Sequence, residues 1–220
     1  MKKRLRIALT PDAAQRQRLQ ALQQAFAAAC NLIAPMAQQT RCWNRVALHH
    51  MAYRSLRDKH PELGSQMACN AIYSVSRTCR AVYQNPKSPF HHSRFGGKTL
   101  PLVTFKPEAP VFFDRHTLSI KAGEASMYTL DGRMRFRLGL TPEDEQRFRN
   151  DKLREIVLGS ASGHYALSFF FSEGENPDAP EDTSTDLPEY VIVIDPDLAP
   201  GALPRPTTAP AHPAAERIHP

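Results

Sequence analysis

The sequence predicts an α+β fold in which an N-terminal strand and a bundle of helices are joined to a small antiparallel β-barrel. Three observations support this prediction. Apolar residues repeat every three or four positions through much of the first hundred residues, as on one face of a helix. From Leu100 the repeat shortens to two, as in half-buried strands. After Asp195 the prolines leave no room for another helix or strand, so residues 199–220 are predicted to be disordered.

The charge is distributed very unevenly along the 220 residues. Residues 1–110 contain 17 Lys and Arg against 4 Asp and Glu, whereas residues 171–220 contain 2 against 10. A strongly basic first half indicates a polyanionic partner such as a nucleic acid. The alternative is a solvated basic surface that only maintains solubility.

The first element, Lys2–Leu9, alternates aliphatic and basic side chains and is predicted to be a half-buried strand. Its basic side chains either contact phosphates or belong to a solvated terminus. The candidates for phosphate contact are Lys2, Lys3, Arg4 and Arg6.

Three helices are predicted next. Thr10 is the expected N-cap of the first, with Pro11 at its first position and an apolar stripe that runs to about residue 34. The second extends from about Arg41 to Lys59 and the third from about Ser65 to Tyr83, followed by a loop over 84–99. The inward-facing side chains of the third helix are predicted to be Met67, Ile72, Val75, Cys79 and Val82. Four arginines on these helices either form a basic groove or have no specific role. They are Arg54, Arg57, Arg77 and Arg80.

Seven short strands are expected between Leu100 and Ser172, and many short antiparallel strands favour a small barrel. They are Val103–Lys106, Val111–Phe113, Thr117–Lys121, Ala125–Leu130, Arg133–Leu138, Leu153–Leu158 and His164–Ser172. An acidic linker over 173–188 then leads to a last strand, which starts at Tyr190 and ends at Asp195.

The hairpin around Asp131–Gly132 is the strongest candidate for binding. With those two residues as the turn, Leu130 lies opposite Arg133 and Tyr128 opposite Arg135. Arg133, Arg135 and Arg137 then share one face with Tyr128, where the arginines could follow a phosphate backbone and the tyrosine could stack on a base. The same pattern also fits a solvent-facing strand whose charges serve solubility.

The cysteine spacing and the hydropathy of the sequence limit the classes of protein to which it can belong. Cys30, Cys42, Cys69 and Cys79 form no C-x-x-C pair and lie in helical stretches, so buried, reduced thiols are expected and a zinc site is not. No apolar run is long enough to span a membrane, and residues 1–6 lack the apolar region of a signal peptide. A cytoplasmic protein without membrane contact is expected.

Several segments, in order along the chain, resemble the TnpB (OrfB) family of insertion-sequence RNA-guided nucleases, which are related to type V CRISPR effectors. The resemblance covers residues 4–195, and no single segment is diagnostic. The segments are Leu9-Thr10-Pro11 with Ala29-Cys30-Asn31, the run from Ser65 to Ile72, Phe113-Asp114-Arg115 before Leu118-Ser119, the hairpin from Tyr128 to Arg133, His164 to Ser168, and Val193-Ile194-Asp195.

The resemblance implies a domain plan. Residues 1–9 would be the first strand of a wedge-like barrel, 10–99 a helical recognition insert, 100–172 the rest of the wedge barrel and 173–188 a linker. Residues 189–198 would be an orphan strand, the remnant of a RuvC-like nuclease domain. The implied partners are a structured guide-type RNA and double-stranded DNA, where base pairing reads the sequence and the protein reads backbone shape and a short target-adjacent motif.

The last segment departs from the family pattern. Val193, Pro196 and Asp197 replace the family's Gly, Leu and Gly around Asp195, and the later catalytic carboxylates and zinc-ribbon cysteines have no counterpart in this sequence. Two-metal cleavage needs several carboxylates that hold ions about 4 Å apart. Asp195 is therefore expected to be a vestigial metal ligand, with no cofactor retained, because Mg²⁺ would be expected only with a complete RuvC-like domain.

Three functions remain open at this stage. The first is a nucleic-acid-binding protein without nuclease activity, either as part of a transposon-encoded system or as a DNA-binding regulator. The second is a decayed or frameshifted transposase-associated product that has lost its activity. The third is a nuclease that uses residues not identified above. The oligomeric state is left open by the sequence.

Overall fold

The computed structural model of the protein describes residues 3–172 and 187–194. It is a mixed α+β structure. Strand β1 spans Lys3–Leu9, and Arg4 and Arg6 are exposed on it while Leu9 is buried, as its alternation predicts. Lys2 and Asp195 lie outside the described residues.

Helix α1 spans Ala13–Thr40, and it begins and ends later than expected. Its N-cap is Asp12, not Thr10, because the Asp12 carboxylate accepts a hydrogen bond from the Gln15 backbone N–H while the Gln15 side chain caps Asp12 in return. Pro11 therefore precedes the cap. The helix continues through Pro35, with Ala34 and Ala37 buried on either side of it, and ends where Arg41 adopts a left-handed conformation with φ of 49°.

Helix α2 spans Arg45–Lys59 and starts later than predicted, because the Asn44 side chain accepts from the backbone N–H groups of Val46 and Ala47. Helix α3 spans Gly64–Cys79 and widens into a π-helical turn over Arg80–Gln84. Its predicted inward-facing side chains are all buried. They are Met67, Ile72, Val75, Cys79 and Val82.

The strands follow the predicted order with small shifts of their ends. They are β2 Leu102–Phe105, β3 Val111–Phe113, β4 Leu118–Lys121, β5 Glu124–Thr129, β6 Gly132–Arg137, β7 Lys152–Ala161, β8 His164–Ser172 and β9 Val191–Ile194. One helix, α4, spans Pro142–Asn150 and was not predicted. Its signal was present in the sequence, since Thr141 and Asp144 form a capping box and Glu143 and Arg147 pair at i,i+4.

The described strands form three antiparallel sheets and no closed barrel. Their orders are β1-β8-β7-β3, β2-β9 and β4-β5-β6. A barrel requires the first and last strands to pair, but β1 pairs only with β8, and β3 at the other edge has three residues.

The prediction of an orphan last strand is wrong, because β9 pairs antiparallel with β2 from Leu102↔Ile194 to Phe105↔Val191. The Tyr190 hydroxyl is 3.3 Å from the Thr78 hydroxyl of α3, and burial raises the pKa of Tyr190. A strand that follows the acidic segment is thus held on the same body as the helices.

A single hydrophobic core joins the helices to the sheets. Phe26 of α1, Ile72 of α3, Val103 of β2, Met127 of β5 and Phe169 of β8 all belong to it and are at most 1% exposed. The helical and sheet parts of the described chain therefore stabilise each other through shared apolar contacts.

The four cysteines are free, as expected, but they divide into two classes. Cys30 and Cys79 are buried, and burial raises the pKa of Cys79 to about 12. Cys42 and Cys69 are only half-buried, so the prediction of four buried thiols is wrong for these two. Within the described ranges, no helix has both the length and the apolar character needed to cross a membrane.

Candidate nucleic-acid interface

The β5–β6 hairpin has the two faces that its alternating sequence predicts. Met127, Met134 and Phe136 are buried, whereas the three arginines of β6 are exposed on the opposite side. We call this outward side the hairpin face. It comprises Ser119 and Lys121 of β4, Glu124, Ser126 and Tyr128 of β5, and Arg133, Arg135 and Arg137 of β6.

The predicted register of the hairpin is wrong by two residues. Tyr128 lies opposite Arg133, and Ser126 lies opposite Arg135. The turn residues are Leu130 and Asp131, and Gly132 begins β6 with φ of 108°, a conformation that favours glycine. Because side chains alternate with a period of two, a shift of two residues leaves every arginine on its predicted face.

The position of the turn is fixed by Arg18 of α1, a residue that the sequence did not single out. Its Nε donates to Asp131 Oδ1 at 2.7 Å and its Nη2 donates to Thr129 Oγ1 at 2.7 Å. The hydrogen bonds from the Thr129 hydroxyl and from Arg18 hold the pKa of Asp131 below its usual range. These bonds tie the tip of the hairpin to the first turns of α1.

Tyr128 connects the hairpin face to the helices. Its hydroxyl donates to the Glu62 carbonyl at 2.6 Å, in the short turn after α2. Burial raises the pKa of the Tyr128 phenol, and the positive charge of Arg57 opposes this shift. The ring is half-buried and its hydroxyl is already paired, so part of the ring surface is closed to a base.

Two of the predicted helical arginines, Arg54 and Arg57, lie on α2, the helix before this turn. Arg54 is exposed on α2, and Arg57, three residues further on, donates to the Pro61 carbonyl at 3.4 Å. Because Tyr128 donates to the Glu62 carbonyl, Arg57 and the hairpin face are bonded to the same turn at Pro61 and Glu62. We call Arg54 and Arg57 the α2 flank.

The three arginines of β6 have different surroundings. Arg133 lies across the sheet and donates to groups on β4 and β5. Arg135 is 73% exposed and 3.4 Å from Glu124, which is itself exposed, so this ion pair contributes little and leaves Arg135 available. Arg137 is exposed at the far end of the strand, opposite Glu124.

The basic residues of β1 lie on the four-stranded sheet. Arg4 donates to the Ser168 hydroxyl at 3.0 Å, and its guanidinium lies 5.5 Å from the centre of the Phe170 ring. Arg6 is exposed opposite Ser168. Lys3 is the first residue of β1, and Lys2 precedes the described residues. Both arginines thus point away from the core, as predicted.

The predicted groove of four helical arginines does not form, because Arg77 turns towards β7. Its guanidinium pairs with both carboxylate oxygens of Glu155, with 2.6 Å between Nη1 and Oε2, and lies 5.5 Å from the centre of the Phe112 ring. Glu155 is only 12% exposed at its side chain. Arg77 therefore holds α3 against the sheet, while Arg80 remains exposed.

This difference gives a matched pair of substitutions. Arg77→Gln is expected to lower the free energy of unfolding by about 1–3 kcal/mol, because it removes a charge partner of the Glu155 carboxylate, which is mostly buried. Arg80→Gln is expected to change it by less than about 0.5 kcal/mol, as an exposed surface substitution. Urea denaturation followed by circular dichroism measures both. Equal midpoints for the two variants would contradict the structural role of Arg77.

The predicted vestigial metal ligand, Asp195, lies just beyond β9 and outside the described residues. Among the described residues, no three His, Cys, Asp or Glu side chains gather closely enough to hold a metal ion.

Comparison of the chain with models of known protein families finds no match, and comparison with curated proteins finds none either.

Proposed function

We propose that this protein is the nucleic-acid-binding portion of a TnpB-like, transposon-encoded RNA-guided system, and that it binds structured RNA and double-stranded DNA without cleaving them. The observation that carries the proposal is that the α2 flank and the hairpin face are bonded to the same turn. Arg57 donates to the Pro61 carbonyl and Tyr128 to the Glu62 carbonyl, while Arg54 lies on the same helix as Arg57 and Arg135 and Arg137 lie on the same face as Tyr128.

The chemistry of this surface suits a polyanion. Exposed guanidinium groups spaced two residues apart on a strand can follow successive phosphates, and they bind phosphate through a planar pair of N–H donors. The excess of 17 basic over 4 acidic residues in residues 1–110 adds a long-range attraction to the same partner.

The proposal is tested by titrating the purified protein into a fluorescently labelled RNA hairpin and, separately, a DNA duplex at low salt. Saturable binding of the RNA hairpin is the expected result, and sequencing of any RNA that co-purifies would identify a natural ligand. Absence of binding to either probe by a folded protein would contradict the proposal and favour a decayed gene product.

Catalysis is expected to be absent. Among the described residues no three His, Cys, Asp or Glu side chains gather closely enough to hold a metal ion, and Asp195 by itself cannot hold two metal ions across a scissile phosphate. Incubation of the protein and its co-purified RNA with DNA and Mg²⁺ or Mn²⁺ should leave the DNA intact on a denaturing gel. Metal-dependent cleavage that disappears in Asp195→Ala would overturn this expectation and show that the other carboxylates come from elsewhere.

A further inference from the structure

Arg133 differs from the other arginines of the hairpin face because four hydrogen bonds hold its guanidinium to β4, β5 and the turn before β4. Nε donates to Ser126 Oγ at 2.9 Å and Nη2 donates to the Ser126 carbonyl at 2.6 Å. Nη1 donates to the His116 carbonyl at 3.3 Å, and Nη2 has a second, longer contact of 3.5 Å with Ser119 Oγ. The side chain therefore crosses from β6 over β5 to β4.

These bonds leave the planar side of the guanidinium, not its edge, for a ligand. An arginine side chain has five N–H donors, all in the guanidinium plane. Four of them point at the protein groups just named, and a bidentate contact with phosphate needs two free donors on one edge. Arg133 is nevertheless an exposed residue, so it can offer a ligand the plane of its guanidinium but not a free edge.

The residues around Arg133 leave space for a flat ligand. Ser126 and Ser119, over which the guanidinium lies, are small, and the half-buried ring of Tyr128 borders it on the same face. Arg135 follows two residues along β6 with its guanidinium in solvent. A nucleobase stacked on Arg133 would thus have its own phosphates near Arg135 and the Tyr128 ring at its edge.

We propose that Arg133 is a stacking platform for an unpaired base, so that the hairpin face binds looped or single-stranded nucleic acid in preference to a continuous duplex. Bases inside a duplex are covered on both sides by their neighbours, and only an unstacked base can place its face on a guanidinium plane. Arg135 and Arg137, which have free edges, contact phosphates in this arrangement. The inference rests on the proposed function and narrows its ligand.

The test compares two substitutions with two RNA probes. The probes are an RNA hairpin with 2-aminopurine in its loop and a blunt RNA duplex with the same stem. Arg133→Lys keeps the positive charge but removes the plane, whereas Arg149→Lys makes the same change on an exposed arginine of α4, away from the hairpin face. Arg135→Lys makes the same change at a residue of the same strand that is proposed to contact phosphate, where the positive charge is kept.

Arg133→Lys is expected to weaken binding of the looped probe about fivefold or more, which is the loss in affinity expected when one stacked base is no longer held. Binding of the duplex probe should stay within about twofold of the wild-type affinity. The wild-type protein should change the 2-aminopurine fluorescence because the base moves from its neighbours onto the guanidinium, and Arg133→Lys should lessen that change. Arg135→Lys should change the affinities for both probes by the same small factor. Arg149→Lys should change neither.

Failure of this inference can be told from failure of the proposed function. If the wild-type protein binds neither probe, the proposed function fails. If it binds both but Arg133→Lys and Arg149→Lys behave alike, the stacking role of Arg133 fails alone. Should Arg133→Lys prove unfolded by circular dichroism, Ser126→Ala provides the second variant, because it removes one of the bonds that hold the plane while it keeps Arg133. A Ser126→Ala protein with unchanged loop affinity and an unchanged 2-aminopurine signal would overturn the proposal.

Discussion

Raising the salt concentration from 50 to 200 mM is expected to weaken binding of the RNA hairpin about 500-fold. This estimate takes about five phosphate contacts, each of which releases a condensed counterion, and a slope of about −0.9 per contact on a logarithmic plot. The contacts would come from exposed basic side chains such as Arg54, Arg135 and Arg137. Fluorescence anisotropy titrations at four or more salt concentrations give the slope.

The control for this measurement is the stability of the protein itself. Circular dichroism at each salt concentration should show the same folded signal, so that any loss of affinity reflects the interface. A slope near zero would mean that phosphates are not contacted and that the basic residues of the first half only serve solubility.

The second large effect is expected from the triple variant Arg54→Gln, Arg135→Gln and Arg137→Gln. All three side chains are exposed, and each substitution removes one charge that the proposed interface uses. The affinity for the RNA hairpin at 50 mM salt should fall roughly 100-fold, and the salt slope should decrease by about three. The melting temperature should stay nearly constant, because exposed substitutions without buried partners change stability little.

A second triple variant controls for net charge. Arg147→Gln, Arg149→Gln and Lys152→Gln remove the same three positive charges from α4 and the start of β7, where the two arginines form only surface i,i+4 ion pairs. If binding depends on the α2 flank and the hairpin face, this control should lose no more than a few fold in affinity. Equal losses in both variants would show that only the total charge matters.

The structure changes which arginines belong in such an experiment. The sequence pattern treats Arg133 like Arg135 and Arg137, but Arg133 is bonded to the sheet, and its replacement would also remove those hydrogen bonds. Arg77 is paired with Glu155, so replacing Arg77 would lower the stability of the fold as well as any affinity for RNA. A test of phosphate contacts is therefore cleaner when both residues are left in place.

The sequence by itself determined the features that depend on neighbouring residues. The alternation in β6 placed Arg133, Arg135 and Arg137 opposite Met134 and Phe136, and this assignment is confirmed although the register was wrong. The apolar spacing of α3 likewise identified its buried side correctly. Such patterns succeed because the periods of helices and strands are local properties of the backbone. The helix starts were less accurate, since several residues near each start can cap.

Only the tertiary structure decided which distant residues meet. Arg18 bonds to Asp131, Tyr128 to Glu62, and Arg77 to Glu155, and each pair is separated by more than 60 positions in the chain. The pairing of β2 with β9 is of the same kind. A charged side chain has the same local pattern whether its partner is a buried carboxylate or solvent, because the partner is chosen by how whole elements pack. For this reason the sequence could identify a basic protein, but the link between the α2 flank and the hairpin face through the turn at Pro61 and Glu62 became visible only in the folded chain.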